Sequence, residues 1–186
     1  MQIPDGFGSL KVQAKTMTPI HTHTAITKSQ PVDNYGKGRL FEQFIIQLFK
    51  SEHFHLKKHR MAQQPSDLIS LIDHFNSDLE MELVFTRKQK YRFAVECKWR
   101  QNFYDGKIKW ATESHICSYQ MFQDRVRIPV FVAIGIGGQP SAPDKLFVTP
   151  LNNICMYNEV YESDLIPFKR RPTRNFYYDA LQLMLF

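Results

Sequence analysis

A chain of 186 residues is long enough to bury a core and suits a single domain. Its 43% hydrophobic and 13% aromatic content excludes a disordered chain, and no apolar run approaches the roughly 18 residues that a membrane crossing needs. A net charge of +6 points toward polyanions, with dense basic runs at Lys57-Lys58-His59-Arg60, Arg87-Lys88-Gln89-Lys90 and Lys169-Arg170-Arg171.

The opening Met1-Gln2-Ile3-Pro4-Asp5-Gly6 has no basic segment followed by an apolar one, so it does not read as a signal peptide and a cytoplasmic protein is expected. Residues 1–36 are polar and Thr-rich with prolines and glycines, and read as an irregular arm. His21 and His23 within it are too few for a metal site. From Gly38, Leu40, Phe41, Phe44, Ile45, Leu48 and Phe49 recur at helical spacing and form one apolar stripe. Glu42 lies at the edge of that stripe, at the rim of the future core, where a carboxylate is usually paired or set near a cation. Phe54-His55-Leu56 opens a candidate strand, and Pro65-Ser66-Asp67 a short candidate helix.

Asp78–Phe85 and Tyr91–Trp99 both alternate strictly between apolar and polar residues, which predicts two strands. The polar link 86–90 predicts an antiparallel hairpin between them. Thr112 or Ser114 caps a second predicted helix running to Val126. Val130–Ile136 is continuously apolar, as in a central strand covered on both faces, and Lys145–Thr149 is a further strand. The tail carries the third basic run, then Phe176-Tyr177-Tyr178 and an apolar end; one domain over 37–186 accounts for the rest of the chain. The three cysteines, Cys97, Cys117 and Cys155, have no metal-ligand spacing and read as reduced thiols.

A hairpin symmetric about Lys88 sets Glu80 against Glu96 and Asp78 against Lys98. A slip by two residues keeps the same parity, whereas a slip by one would bury the charges among the apolar side chains. Asp78, Glu80, Glu96 and Lys98 therefore share one face. Clustered carboxylates repel unless a cation lies between them, and hard oxygen ligands suit Mg²⁺ or Mn²⁺. Such an ion can polarise a phosphoryl oxygen and activate water, with Lys98 stabilising the developing charge.

Asp78 followed by Glu96-Cys97-Lys98 at the end of an apolar strand resembles the PD-(D/E)xK nuclease superfamily, and Gly38-Arg39-Leu40-Phe41-Glu42 resembles the opening helix of its Mrr-like branch. Ser77 stands where the motif has its proline. The resemblance covers roughly residues 36–150. It implies a restriction-endonuclease-like α/β core, a mixed central sheet flanked by helices in the order αβββαβ, and a Mg²⁺-dependent DNA endonuclease with Mn²⁺ as a substitute. Asp78 and Glu96 would bind the metal with the Cys97 carbonyl as a further ligand, Lys98 would assist the water, and Glu42 would assist from the helix. Glu80 is the alternative acid. Tyr119, Gln120 and Gln123 on the second helix do not fit the branch's spacing and stay outside the site. The Cys97 thiol and Trp99 are expected to pack in the core. Arg100, Lys57 and Lys58 are candidate DNA contacts. DNA is the expected partner, with no membrane and with a homodimer left open. A non-catalytic nucleic-acid-binding module on the same fold is the alternative, and a third reading docks the apolar C-terminus on a partner or on a second copy of the chain.

Overall fold

The computed structural model describes residues 33–59 and 77–186. Most of the expected arm with its two histidines, Arg60, and the short helix expected from Pro65 lie outside the described residues. Helix α1 (Asn34–Gln47) starts before both glycines that marked its expected beginning. The reason is local: the Asp33 carboxylate caps the helix by accepting from the Gly36 N–H at 2.7 Å. Six strands form the main sheet: β1 (Phe54–His59), β2 (Leu79–Val84), β3 (Lys90–Arg100), β5 (Val130–Ile136), β6 (Lys145–Pro150) and β8 (Lys169–Arg170), in that spatial order. The β3–β5 pair is parallel and every other pair is antiparallel. The parallel pair needs a crossover, which β4 (Lys107–Lys109) and helix α2 (Glu113–Val126) supply. Thr112 caps α2, its hydroxyl accepting from the His115 N–H. The mixed sheet flanked by helices in the order αβββαβ is the architecture expected from sequence.

The period-two alternation decides the layers. Odd residues of β2 and β3, from Leu79 and Met81 to Phe93, Val95 and Cys97, join Phe41 and Ile45 of α1 and Leu48 and Phe49 just past its end in one core. On the other face Ala94, Val130, Val132 and Ile134 meet Ile116, Tyr119 and Phe122 of α2. There they also meet Ile108 of β4 and Val160 of β7 (Glu159–Tyr161), while helix α3 (Glu162–Leu165) adds Leu165. All seven residues of β5 are buried, as a strand covered on both faces must be.

Part of the apolar tail, one reading of which docked it on a partner, packs onto its own chain, while Tyr177, Leu181, Leu183 and Phe186 stay exposed. Strands β9 (Tyr178–Asp179) and β10 (Met184–Leu185) pair with each other, and Phe176, Tyr178 and Leu185 enter the α1-side core. Tyr178 stacks on Phe93 at 4.9 Å, and Phe176 meets Phe49 edge-on at the same centroid distance. Each such ring contributes roughly 2 kcal/mol by burial alone. Arg170, from the third basic run, is also enlisted: its Nε donates to the Leu185 carbonyl at 2.9 Å and its guanidinium lies over the Phe186 ring.

Among the described residues no helix is long and apolar enough to cross a membrane. The hairpin keeps the expected parity, but its register sits two residues away from the symmetric one: Leu83 pairs with Tyr91, Glu80 with Ala94 and Leu79 with Val95. Thr86 sets this turn, since its hydroxyl accepts from the N–H groups of Lys88 and Gln89 at 3.3 and 3.0 Å.

Gly135 of β5 lies directly under Phe41, and a Cβ there would overlap the Phe41 ring. Gly135→Ala should therefore lower stability by about 1–3 kcal/mol in urea denaturation. An unchanged midpoint would show that α1 is free to shift.

Candidate active site

Strand β3 is longer than its neighbour β2, and the ladder between them ends at Leu79 and Val95. Among the described residues, 96–100 of β3 keep only β5 as a strand partner, aligned from Val132 to Ile136. A notch opens on the vacated side. Asp78, one residue before β2, fills its inner end: the carboxylate Oδ2 accepts from the Cys97 N–H at 2.9 Å, replacing the missing ladder bond. The two-residue register offset thus leaves Asp78, not Glu80, beside the end of β3. Glu80 is paired instead with Arg92 at 3.0 Å on the hairpin.

Glu96 points to the α2 side and is buried, only 2% exposed. Its Oε1 accepts from the Tyr119 hydroxyl at 2.6 Å and from the Lys98 ammonium. Its Oε2 is buried with no hydrogen-bond partner. A bare carboxylate oxygen in a dry site is costly unless a cation or donor reaches it. Lys98 also lies over the Tyr119 ring, 5.6 Å from the centroid.

The electrostatics follow from this crowding. Burial pushes the Asp78 carboxyl well above the usual aspartate range, and the nearby Glu96 pushes it further; Glu42 adds to the rise, while Lys98 and the Cys97 N–H oppose it. Burial disfavours charge on Lys98, but Glu96, Tyr119 and Asp78 outweigh it and hold the ammonium well above its ordinary value. Burial and then Glu96 raise the Tyr119 phenol, so its hydroxyl stays protonated and donates. Burial, then Asp78, pushes the Cys97 thiol up, and the side chain packs in the α1-side core; it is no nucleophile.

A cavity of about 620 Å³ opens over the notch. Asp78, Cys97, Lys98 and Glu42 line it on one side, and Lys37, Arg39, Trp99 and Arg100 bring cationic and aromatic groups to its walls. Glu42, on α1, is 13% exposed at its side chain and bonds the His59 Nε2 at 2.7 Å. Trp99 packs as expected, with its indole N–H on the Gly137 carbonyl and the Lys37 ammonium over its ring. Arg100, a candidate DNA contact, lines the cavity and also braces the backbone: Nε, Nη1 and Nη2 donate to the carbonyls of Lys109, Trp99 and Trp110. Lys57 and Lys58 are exposed on β1, away from the cavity lining.

The structure therefore brings Asp78, Glu96, Lys98 and Glu42 together and sets Glu80 apart. It adds Tyr119, which helical spacing from Ile116 and Phe122 places on the buried face of α2, beneath β3. Gln123 on the same helix is spent elsewhere, accepting from the Val130 N–H and donating to Asn152.

Among the described residues no three His, Cys, Asp or Glu side chains converge as a ready-made metal cage. Two carboxylates and an open cavity are nonetheless the donor set Mg²⁺ takes, since that ion keeps several waters and binds few protein ligands. The bare Glu96 Oε2 and the mutual repulsion of Asp78 and Glu96 both fit a cation.

No family model matches the chain, and no curated protein matches it. Among solved structures it is similar to Hjc, a Holliday junction resolvase from the archaeal hyperthermophile Archaeoglobus fulgidus. The two are 13% identical with a TM-score of 0.46, over 70% of this chain and 92% of that one.

Because its folded pKa lies above the unfolded value, Asp78 favours the fold only while protonated. Its stabilising contribution is complete below about pH 4 and is lost as the pH rises through the folded value. In chelator, Asp78→Asn should therefore be more stable than the wild type at neutral pH, by on the order of 1 kcal/mol. The gain should vanish on acidification to about pH 4. Thermal unfolding across that range checks it; a variant less stable at neutral pH would contradict the assigned crowding.

Proposed function

We propose that this protein is a metal-dependent nuclease of the PD-(D/E)xK superfamily that hydrolyses phosphodiester bonds in DNA as an endonuclease. The observation that carries the reading is the notch itself. Two crowded carboxylates, one with a bare buried oxygen, share it with a lysine held as a cation, beneath a cavity walled by further cations. A module that only binds DNA gains nothing from burying negative charge at its contact surface.

Asp78 and Glu96 would hold Mg²⁺ or Mn²⁺, with the Cys97 main-chain carbonyl as a further ligand and Glu42 at the rim. Bound there, the ion supplies Lewis-acid polarisation of a phosphoryl oxygen and lowers the pKa of a coordinated water. The Lys98 ammonium, paired with Glu96 and lining the cavity, is a hydrogen-bond donor there. It orients the attacking water and stabilises the charge that builds on the phosphoryl oxygens. Tyr119 fixes Glu96 by donating to Oε1, which leaves Oε2 for the cation. Lys37 and Arg39 at the cavity wall draw the polyanionic strand toward it.

Cleavage of plasmid and linear duplex DNA in Mg²⁺ or Mn²⁺ tests this reading. Lys98→Ala and Asp78→Ala should each lose at least about 100-fold in rate while circular dichroism shows a folded chain. Full cleavage by both variants would sink the nuclease reading. Salt-sensitive DNA binding with no cleavage in any divalent metal would favour the non-catalytic module.

A further inference from the structure

Strand β1 departs from a regular ladder near the notch. Phe54 pairs with Leu83, His55 with Glu82 and Leu56 with Met81. Continued without a break, that register would set Lys58 against Leu79 and turn His59 toward the face opposite α1. The observed pairs are Lys58 with Glu80 and His59 with Leu79, so one extra residue, Lys57, is accommodated as a bulge. Leu79 belongs to the α1-side core, and the bulge therefore swings His59 onto that same face. There its Nε2 meets the Glu42 carboxylate at 2.7 Å. Bulges characteristically re-aim a side chain in this way and concentrate beside active sites.

The contact is more than a surface ion pair. The side chains of His59 and Glu42 are 20% and 13% exposed, and Glu42 shares the cavity lining with Asp78 and Lys98. Its charge is felt at Asp78 and at Cys97, on both sides of the notch. An ionised carboxylate only accepts, so the imidazole presents a protonated Nε2 to it. A glutamate has three side-chain torsions to settle, and a directed hydrogen bond from a strand residue narrows the orientations open to its carboxylate.

Resting on the nuclease reading above, we propose that His59 is a positioning residue: through the bulge at Lys57 it holds Glu42 at the rim of the notch, where Glu42 helps to bind the divalent cation, directly or through water. Hydrogen-bond partners of metal-binding carboxylates act on affinity in this way.

The test uses the full chain, with Mn²⁺ titrated by calorimetry alongside cleavage kinetics. His59→Ala should weaken Mn²⁺ binding by about tenfold and lower kcat with KM for DNA unchanged. His59→Gln, whose amide nitrogen can donate from a place close to that of Nε2, should restore most of both. In a Glu42→Gln background, His59→Ala should change Mn²⁺ binding no further, because the partner it positions is already altered. Wild-type affinity in His59→Ala overturns the inference and leaves the nuclease reading intact. So does an equal loss from His59→Ala in the Glu42→Gln background. A wild-type chain that binds no Mn²⁺ and cleaves no DNA overturns the nuclease reading, and the positioning role falls with it.

Discussion

Two carboxyl groups held side by side in a dry notch are the constraint around which this molecule is arranged. Asp78 and Glu96 raise each other's electrostatic cost, and burial raises it again. The chain answers with one internal cation, Lys98, and one neutral donor, Tyr119, both directed at the same oxygen of Glu96. The result is lopsided by construction. Among the described residues one oxygen of Glu96 is doubly served while the other has no hydrogen-bond partner, and Asp78 accepts from the Cys97 main-chain N–H. A purely structural ion cluster would be expected to satisfy all its oxygens. An incomplete set beside a cavity that Asp78 and Lys98 line fits a site that is completed from outside.

The scaffold produces this lopsidedness through strand length. Because β2 stops short, the end of β3 carries Glu96 and Lys98 past the last cross-strand pair while parallel pairing to β5 keeps them rigid. The crossover that parallel pairing requires brings α2 across the sheet and sets Tyr119 beneath Glu96. On the opposite face, the absent side chain at Gly135 lets Phe41 rest directly on β5. Helix α1 then rides close enough to the sheet for Glu42 to reach the notch from the other layer. Each of these is a backbone event, and each delivers one side chain to the same place.

Much of this was legible in the sequence, because a period of two is hard to counterfeit. Alternation in 78–85 and 91–99 gave both strands, their buried faces and the shared parity of Asp78, Glu80, Glu96 and Lys98. Parity could not separate Asp78 from Glu80, since both have it. That choice hung on a two-residue register set by the Thr86 hydroxyl in the turn, which alternation does not encode. Tyr119 was visible as a residue but not as a neighbour of Glu96, because the contact spans the crossover and depends on how α2 lies on the sheet. Arg100 shows the converse. Its place at the end of β3 suggested a DNA contact, and sequence gave no sign of the three main-chain carbonyls that also take its donors. The tail's packing was hidden for a similar reason: Phe176, Tyr178 and Leu185 read only as apolar in sequence, and the gap they fill beside Phe49 and Phe93 exists only once the sheet has formed.

The kink at Lys57 has a consequence for assembly as well. Among the described residues β1 is the outermost strand on its side, and an outer strand offers its unpaired main-chain groups to any neighbouring molecule. Here that border is bent by the bulge and carries two solvent-facing lysines, Lys57 and Lys58. A second molecule approaching to extend the sheet would meet like charge and a broken repeat, both of which disfavour continuous pairing. The bent border and its two lysines thus disfavour extension of the sheet along β1.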